Sequence, residues 1–218
     1  MKNLKAFFFD VDGTLTIEGQ TAWDIITLKL GASLDDHHII LKEFQNKNIS
    51  LEDAIQQIVM LWGSTGKATR SNIQKILLSN IILRKGAKEF IKSLIKRGMR
   101  VVLLTNTPDS NLRIITDLFP GVEAFTSTSF IFDSNDYLIN FTYPLDIAKY
   151  KVDTFNQYLQ NNNLSKEECA MIGNGLNDLD VIKMCGFSAA PKIGSEKDIL
   201  ATVNYIFDDF TDLQQFLK

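Results

Sequence analysis

Cysteine is nearly absent from this chain. Cys169 and Cys185 are the only two in 218 residues, too few for a disulfide framework, and both stand in apolar stretches that read as reduced core positions. Basic charge is not in excess either. Twenty-three Lys and Arg face 26 Asp and Glu, for a net charge of −3, and no Lys/Arg cluster stands out. That excludes a broad basic face for nucleic acid. Apolar runs such as Ala6–Phe9 and Ile58–Trp62 fall far short of a bilayer span, and the N-terminus carries no signal-peptide pattern. Without a secretion signal, the Asn-x-Ser/Thr triplets at Asn48, Asn140 and Asn163 carry no weight. What is present is the balance of a folded chain, 45% hydrophobic and 22% charged. The expectation is a cytoplasmic protein with no nucleic-acid and no membrane partner.

The pattern has two textures. Lys-Ala-Phe-Phe-Phe at residues 5–9, stopped by Asp10-Val11-Asp12-Gly13, reads as a strand buried on both faces that feeds a tight loop. An amphipathic helix at 86–97 ends at Gly98, and a second buried strand follows at 100–104. Pro108 and Asp109 suit the first turn of a further helix reaching about Leu118. Downstream, the spacing predicts a hairpin at 130–132 and 137–141, a helix at 151–161, a strand at 169–172 and a helix at 176–184. Strands at 187–190 and 203–207 and a closing helical turn at 213–217 complete it. This alternation predicts an α/β fold, a Rossmann-like, mostly parallel sheet with helices on both faces. Residues 17–83 break the rhythm with four helical patterns at 21–30, 35–47, 51–62 and 69–79 and no strand. Ser50 and Asp53 form a capping-box pattern ahead of the third. The predicted organisation is a catalytic core of residues 1–16 and 84–218, with a helical cap, 17–83, inserted after the first strand.

Open parallel sheets gather chemistry at the carboxyl ends of their strands. Asp10 and Asp12 follow the first strand, Thr105 and Asn106 the second. Lys151 stands where the later helix begins, and Asn174 and Asp178 follow the strand ending at Ile172. Paired carboxylates, a hydroxyl, an ammonium and further oxygen ligands fit phosphoryl transfer. Asp10 would attack phosphorus as nucleophile, and Asp12 would serve as general acid and then base. Thr105, Asn106 and Lys151 would hold phosphoryl oxygens. Asp10, Asp12, Asn174 and Asp178 offer the hard oxygen set that Mg²⁺ prefers.

Phe9-Asp10-Val11-Asp12-Gly13-Thr14-Leu15 resembles the first motif of the haloacid-dehalogenase superfamily. Leu103-Leu104-Thr105-Asn106 is similar to its second motif, Lys151 to its third and Gly173-Asn174-Gly175-Leu176-Asn177-Asp178 to its fourth, in the same order. The helical insert resembles the cap of the phosphoserine-phosphatase-like branch. The resemblance implies Mg²⁺-dependent phosphatase chemistry on a small phosphorylated substrate.

Two departures qualify that implication. Asn174 stands where the family's fourth motif opens with Asp, so the site lacks one negative charge. The resemblance also implies a Glu after the first motif and an Arg in the cap for a phosphoserine substrate. Spacing puts Gly19 at the first position, with Glu18 one residue off, and Ile55-Gln56 at the second. Thr105-Asn106-Thr107 likewise replaces Ser-Gly-Gly. Phosphoserine is therefore not the expected preferred substrate. A phosphotransferase or mutase of the same chemistry, or a binding protein on a weakened phosphatase fold, are the alternatives. The Asp-x-Asp-Gly stretch fails as a calcium loop because Leu15 and Thr21 occupy the required Gly and Glu positions. Lys149 competes with Lys151 for the phosphate-side role, and the helical stripe beginning at Phe155 favours Lys151. His37 and His38 are expected on the surface. Trp23 and Trp62 are expected to pack, with Trp62 holding the cap against the core.

Overall fold

The computed structural model describes residues 3–19 and 21–216. Its centre is a six-stranded, wholly parallel sheet in the order β3-β2-β1-β6-β7-β8. These strands are β1 (Ala6–Phe9), β2 (Arg100–Leu104), β3 (Glu123–Phe125), β6 (Cys169–Ile172), β7 (Phe187–Pro191) and β8 (Tyr205–Phe207). The continuous apolar run in β1 is explained by the two-residue period of a strand. Phe7 and Phe9 point into one core with Phe90, Leu94, Phe119 and Phe210, while Ala6 and Phe8 point into the other with Phe155, Tyr158, Val181 and Ile199. The first face is covered by α5 (Ala87–Lys96), α6 (Asp109–Leu118) and α10 (Phe210–Phe216). The second is covered by α7 (Ile147–Asn162), α8 (Leu179–Met184) and α9 (Lys197–Thr202). Each phenylalanine buried in this way contributes roughly 1.5–3 kcal/mol. Both cysteines are free, and burial pushes the Cys169 thiol up to about 12, out of the reactive range.

Between β1 and α5 come α1 (Ala22–Leu30), α2 (Leu34–Gln45), α3 (Leu51–Gly63) and α4 (Arg70–Asn80). Thr21, Ser33, Ser50 and Thr69 cap them in turn through their hydroxyls. Their apolar faces meet in a separate cluster around Trp62, which also takes in Phe130, Leu138 and Phe141 from the antiparallel hairpin β4 (Phe130–Phe132) and β5 (Leu138–Phe141). The hairpin, assigned to the core from sequence, thus packs on the helical insert, and Thr69 bridges to Tyr137. Trp62 packs inside that same cluster, against Trp23 and Phe130.

Other expectations need correction, among them the strand expected at 203–207, which runs only Tyr205–Phe207. Helix α7 begins at Ile147, one turn before the expected start, because the Asp146 side chain accepts the Lys149 amide and caps it. Strand β3 and helix α9, each short, were not foreseen. The closing helix runs 210–216, and Leu217 lies outside the described residues. His37, expected on the surface, is fully buried; His38 alone is exposed, paired with Asp24 at 2.8 Å.

Candidate active site

Parallel register brings three strand ends together. Phe9 lies opposite both Leu103 and Ile172, and the Asp10 amide donates to the Ile172 carbonyl at 2.9 Å. Asp10, Thr105 and Gly173 therefore leave the sheet side by side. The chain turns sharply after Asp10 because Gly13 takes φ 79°, and a Cβ there would stand 2.6 Å from Asn174 Nδ2. Gly173 is required for a related reason: a Cβ would meet the Asp178 carboxyl carbon at 2.5 Å.

Lys151 occupies the centre. From the second turn of α7 its fully buried ammonium donates to Asp10 Oδ1 at 2.8 Å, Asp178 Oδ1 at 2.6 Å and Asn177 Oδ1 at 3.3 Å. Three donors meet three acceptors, so nothing on this cation is left unsatisfied. Burial disfavours the ammonium, but Asp10 and Asp178 outweigh it and raise its pKa above the ordinary value. Burial pushes Asp178 up to about 6, with Lys151 pulling it down and Asp10 adding to the rise. The second oxygen of Asp178 accepts the backbone amides of Asn174 and Gly175 at 3.1 and 3.2 Å. Asp178, expected from the sequence to be a metal ligand, thus holds Lys151 with one oxygen and the backbone of the following loop with the other. Lys149 lies outside the cluster, exposed and paired with Asp153.

Asp12 faces the helical insert. The Ala22 amide donates to its Oδ1 at 3.3 Å, tying the site to the first turn of α1. Burial, helped by the charge of Asp10, pushes its carboxyl up to about 7, against the pull of Thr107, the Ala22 amide and Lys151. Thr105 is buried, and its Oγ1 accepts the Thr107 amide at 3.1 Å, which leaves its own proton to donate. Asn106 turns away: its side-chain carbonyl accepts from the hydroxyls of Ser127 and Thr128 at 3.0 and 2.9 Å. Asn174 Oδ1 accepts from Thr14 at 2.8 Å while its Nδ2 donates to the Gly194 carbonyl.

The donor set suits a hard cation. Asp10, the Asp12 carboxylate, whose charge burial and Asp10 both disfavour, and Asn174 Oδ1, which retains a second lone pair, bring hard oxygen atoms into one cluster. Among the described residues no three acidic, His or Cys side chains form a cage of their own. Mg²⁺ does not need one, because it binds through one or two carboxylates and keeps its waters.

Three residues of this neighbourhood escaped the sequence reading. Thr107 faces Asp12 and accepts from Asn111 Nδ2 at 2.7 Å, while Asn111 Oδ1, also buried, has no partner. Arg84, buried where the insert rejoins the sheet, donates to the carbonyls of Gly13, Thr14 and Ile193 and pairs with Glu18 at 3.2 Å. An arginine just after a helical pattern offers no sequence signal of this role; Asn111, in the first turn of α6 and four residues after Thr107, offers a weak one.

The family model described as haloacid dehalogenase-like hydrolase matches residues 4–186. No curated protein matches the chain. Among solved structures, the haloacid-dehalogenase family hydrolase t0658 from Salmonella enterica serovar Typhi superposes with a TM-score of 0.80 at 18% identity, over 100% of this chain and 72% of that one. A substrate-bound phosphoserine phosphatase gives 0.77 at 19% identity over 100% of both chains. A phosphoserine phosphohydrolase-like protein from Francisella tularensis gives 0.68 at 16%, over 99% of this chain and 100% of that one. At these identities the likeness is one of fold. Among the described residues no helix is long and apolar enough to cross a membrane.

Proposed function

The chain belongs to the haloacid dehalogenase-like hydrolases, and from that membership we propose that it is a Mg²⁺-dependent phosphatase acting on a small phosphorylated metabolite through an aspartyl-phosphate on Asp10. The observation that carries the reading is the buried Lys151 held between Asp10 and Asp178 at the ends of adjacent strands. With Oδ1 fixed by Lys151, Asp10 Oδ2 is the oxygen free to attack phosphorus. As that bond forms, the ester P–O bond breaks and Asp12 protonates the leaving oxygen. A water then attacks the phosphoryl group, gives its proton to Asp12, and releases phosphate with Asp10 restored. The free proton of Thr105 and, through its positive charge, the fully hydrogen-bonded ammonium of Lys151 stabilise the phosphoryl oxygens as charge shifts onto them, and Asn106 contributes through its backbone, its side-chain carbonyl being engaged. Asp10, Asp12 and Asn174 would hold Mg²⁺, which when bound offsets the negative charge of the phosphate. Asp178 serves in this reading to hold Lys151.

The helical insert, residues 17–83, acts as the cap together with the β4-β5 hairpin that packs on it. Two features support a substrate other than phosphoserine. The Glu18 carboxylate is paired with Arg84, and Ile55 stands in an apolar wall. The test is release of inorganic phosphate from a panel of phosphate monoesters, with and without Mg²⁺. We expect Mg²⁺-dependent release that Asp10→Asn reduces on the order of 10⁴-fold without loss of fold. Substantial residual turnover in that variant would sink the mechanism, and transfer to a second alcohol instead of water would mark a phosphotransferase.

A further inference from the structure

Beside the catalytic cluster, between α1, α2, α3 and β5, lies a cavity of about 170 Å³. Its wall is hydrocarbon and aromatic ring: Trp23, Leu41, Phe44, Ile55, Ile58 and Phe141, with no charged side chain. The two polar side chains of the lining are directed elsewhere. The Thr21 hydroxyl donates to the Asp24 carboxylate and accepts the Asp24 amide, closing the cap of α1. The Tyr143 hydroxyl faces Asn106. Both residues link to the site. Ala22, next after Thr21, holds Asp12 through its amide, and Asn106 follows Thr105 directly.

We propose that this cavity receives the organic part of the substrate, and that the substrates are phosphate monoesters of apolar alcohols or phenols. The inference rests on the phosphatase reading above and specifies its substrate class. Size supports it: an apolar protein cavity of roughly 150 Å³ stays dry and takes up benzene, so this one accommodates a single ring or a short branched chain. Chemistry supports it equally. A charged or polyhydroxylated group entering here would lose its water and find no partner in the wall, whereas a hydrocarbon group would gain with each methylene removed from water. Discrimination against zwitterionic esters follows without any specific repulsion.

The experiment separates the cavity from the chemistry. Calorimetry with the non-hydrolysable n-alkylphosphonates from methyl to hexyl, and with phenylphosphonate, is run on the intact protein with Mg²⁺. In parallel, kcat and KM are measured for the corresponding phosphates and for phosphoserine. Affinity is expected to rise about fourfold per methylene until the cavity is filled and then to fall, with kcat/KM following it and phosphoserine at least tenfold below the best alkyl ester. In Ile55→Ala, a half-buried wall position, the optimum should move one or two carbons longer, a shift that loss of fold cannot imitate. Ile55→Arg should flatten the series. A flat series in the wild-type protein, no binding of any phosphonate, or a preference for phosphoserine overturns the assignment. A rising affinity series without hydrolysis of any ester leaves the cavity assignment standing and overturns the phosphatase reading instead.

Discussion

The sheet and the helical insert treat buried polarity in opposite ways. At the strand ends three ionic groups, Asp10, Lys151 and Asp178, are packed together with almost no exposure, each hydrogen-bonded to the next. Among the described residues the core of the insert buries no ion pair; it packs Trp23, Trp62, Phe130 and Phe141 together beside an apolar cavity and keeps a single imidazole, His37, against the two tryptophans. Buried charges held in mutual contact are expensive to disturb and suit chemistry that needs fixed geometry. An uncharged pocket can be reshaped by one side chain at modest cost. Residues that perform the reaction and residues that choose the substrate can therefore vary independently within one chain.

The sharpest way to break this contrast is at the lysine. Lys151→Met leaves Asp10 and Asp178 facing each other in a buried site without a cation. We expect a loss of about 3–5 kcal/mol in urea unfolding, together with loss of turnover. A variant as stable as wild type would show that the cluster is solvated and uncompensated charge there is harmless.

In the insert the corresponding probe is pH. The Thr27 hydroxyl donates to the Trp23 carbonyl and accepts from Trp62 Nε1, so the His37 Nδ1 contact at 2.7 Å is satisfied by a proton on the imidazole. Nε2 is then bare and has no partner. Burial lowers the His37 pKa from 6.5 to about 4, with Asp24 opposing and His38 assisting the shift. A depressed histidine costs nothing above the unfolded pKa, and its penalty grows as pH falls through 6.5 toward 4. At pH 5 it amounts to roughly 2 kcal/mol relative to pH 7.5. Asp12 and Asp178, raised to about 7 and about 6, work in the opposite sense over part of this range. The diagnostic quantity is therefore the difference in unfolding free energy between wild type and His37→Gln at the two pH values. A difference that does not change with pH contradicts the buried neutral imidazole.

A smaller effect sharpens the sheet side. Asn174→Asp restores an anionic oxygen beside Asp10 and Asp12 but turns a carboxylate toward the Gly194 carbonyl, to which Nδ2 now donates at 3.1 Å. The Mg²⁺ concentration for half-maximal activity should fall several-fold, while stability without metal drops by about 1 kcal/mol. Superimposed Mg²⁺ titrations would place Asn174 outside the metal shell.

The sheet region was legible because its signals are local. Buried parallel strands are continuous apolar runs, and a strand that ends in Asp-x-Asp-Gly or Gly-Asn-Gly declares both an element and its functional end. The four insert helices were legible through period and caps, within a residue or two. What escaped depends on contacts between distant segments. His37 lies in a polar stretch of sequence, yet α1 and α3 close over it. The 130–141 hairpin reads correctly as a hairpin, but nothing in it says that Phe130 and Phe141 pack on the insert instead of the sheet. Asp178 has the residue type of a metal ligand, and only the fold reveals that it also holds Lys151 and accepts two backbone amides. Strand β3 and helix α9 are too short for their periods to register.

The central claim is that Asp10 carries the phosphoryl group. Acid quenching during a single turnover of the best substrate, followed by proteolysis and mass measurement of the peptides, tests it most directly. The account predicts one added phosphoryl group on the peptide containing Asp10, which disappears on standing with water and is absent from Asp10→Asn. Turnover with no such adduct at any time point, or an adduct on a different residue, would contradict it.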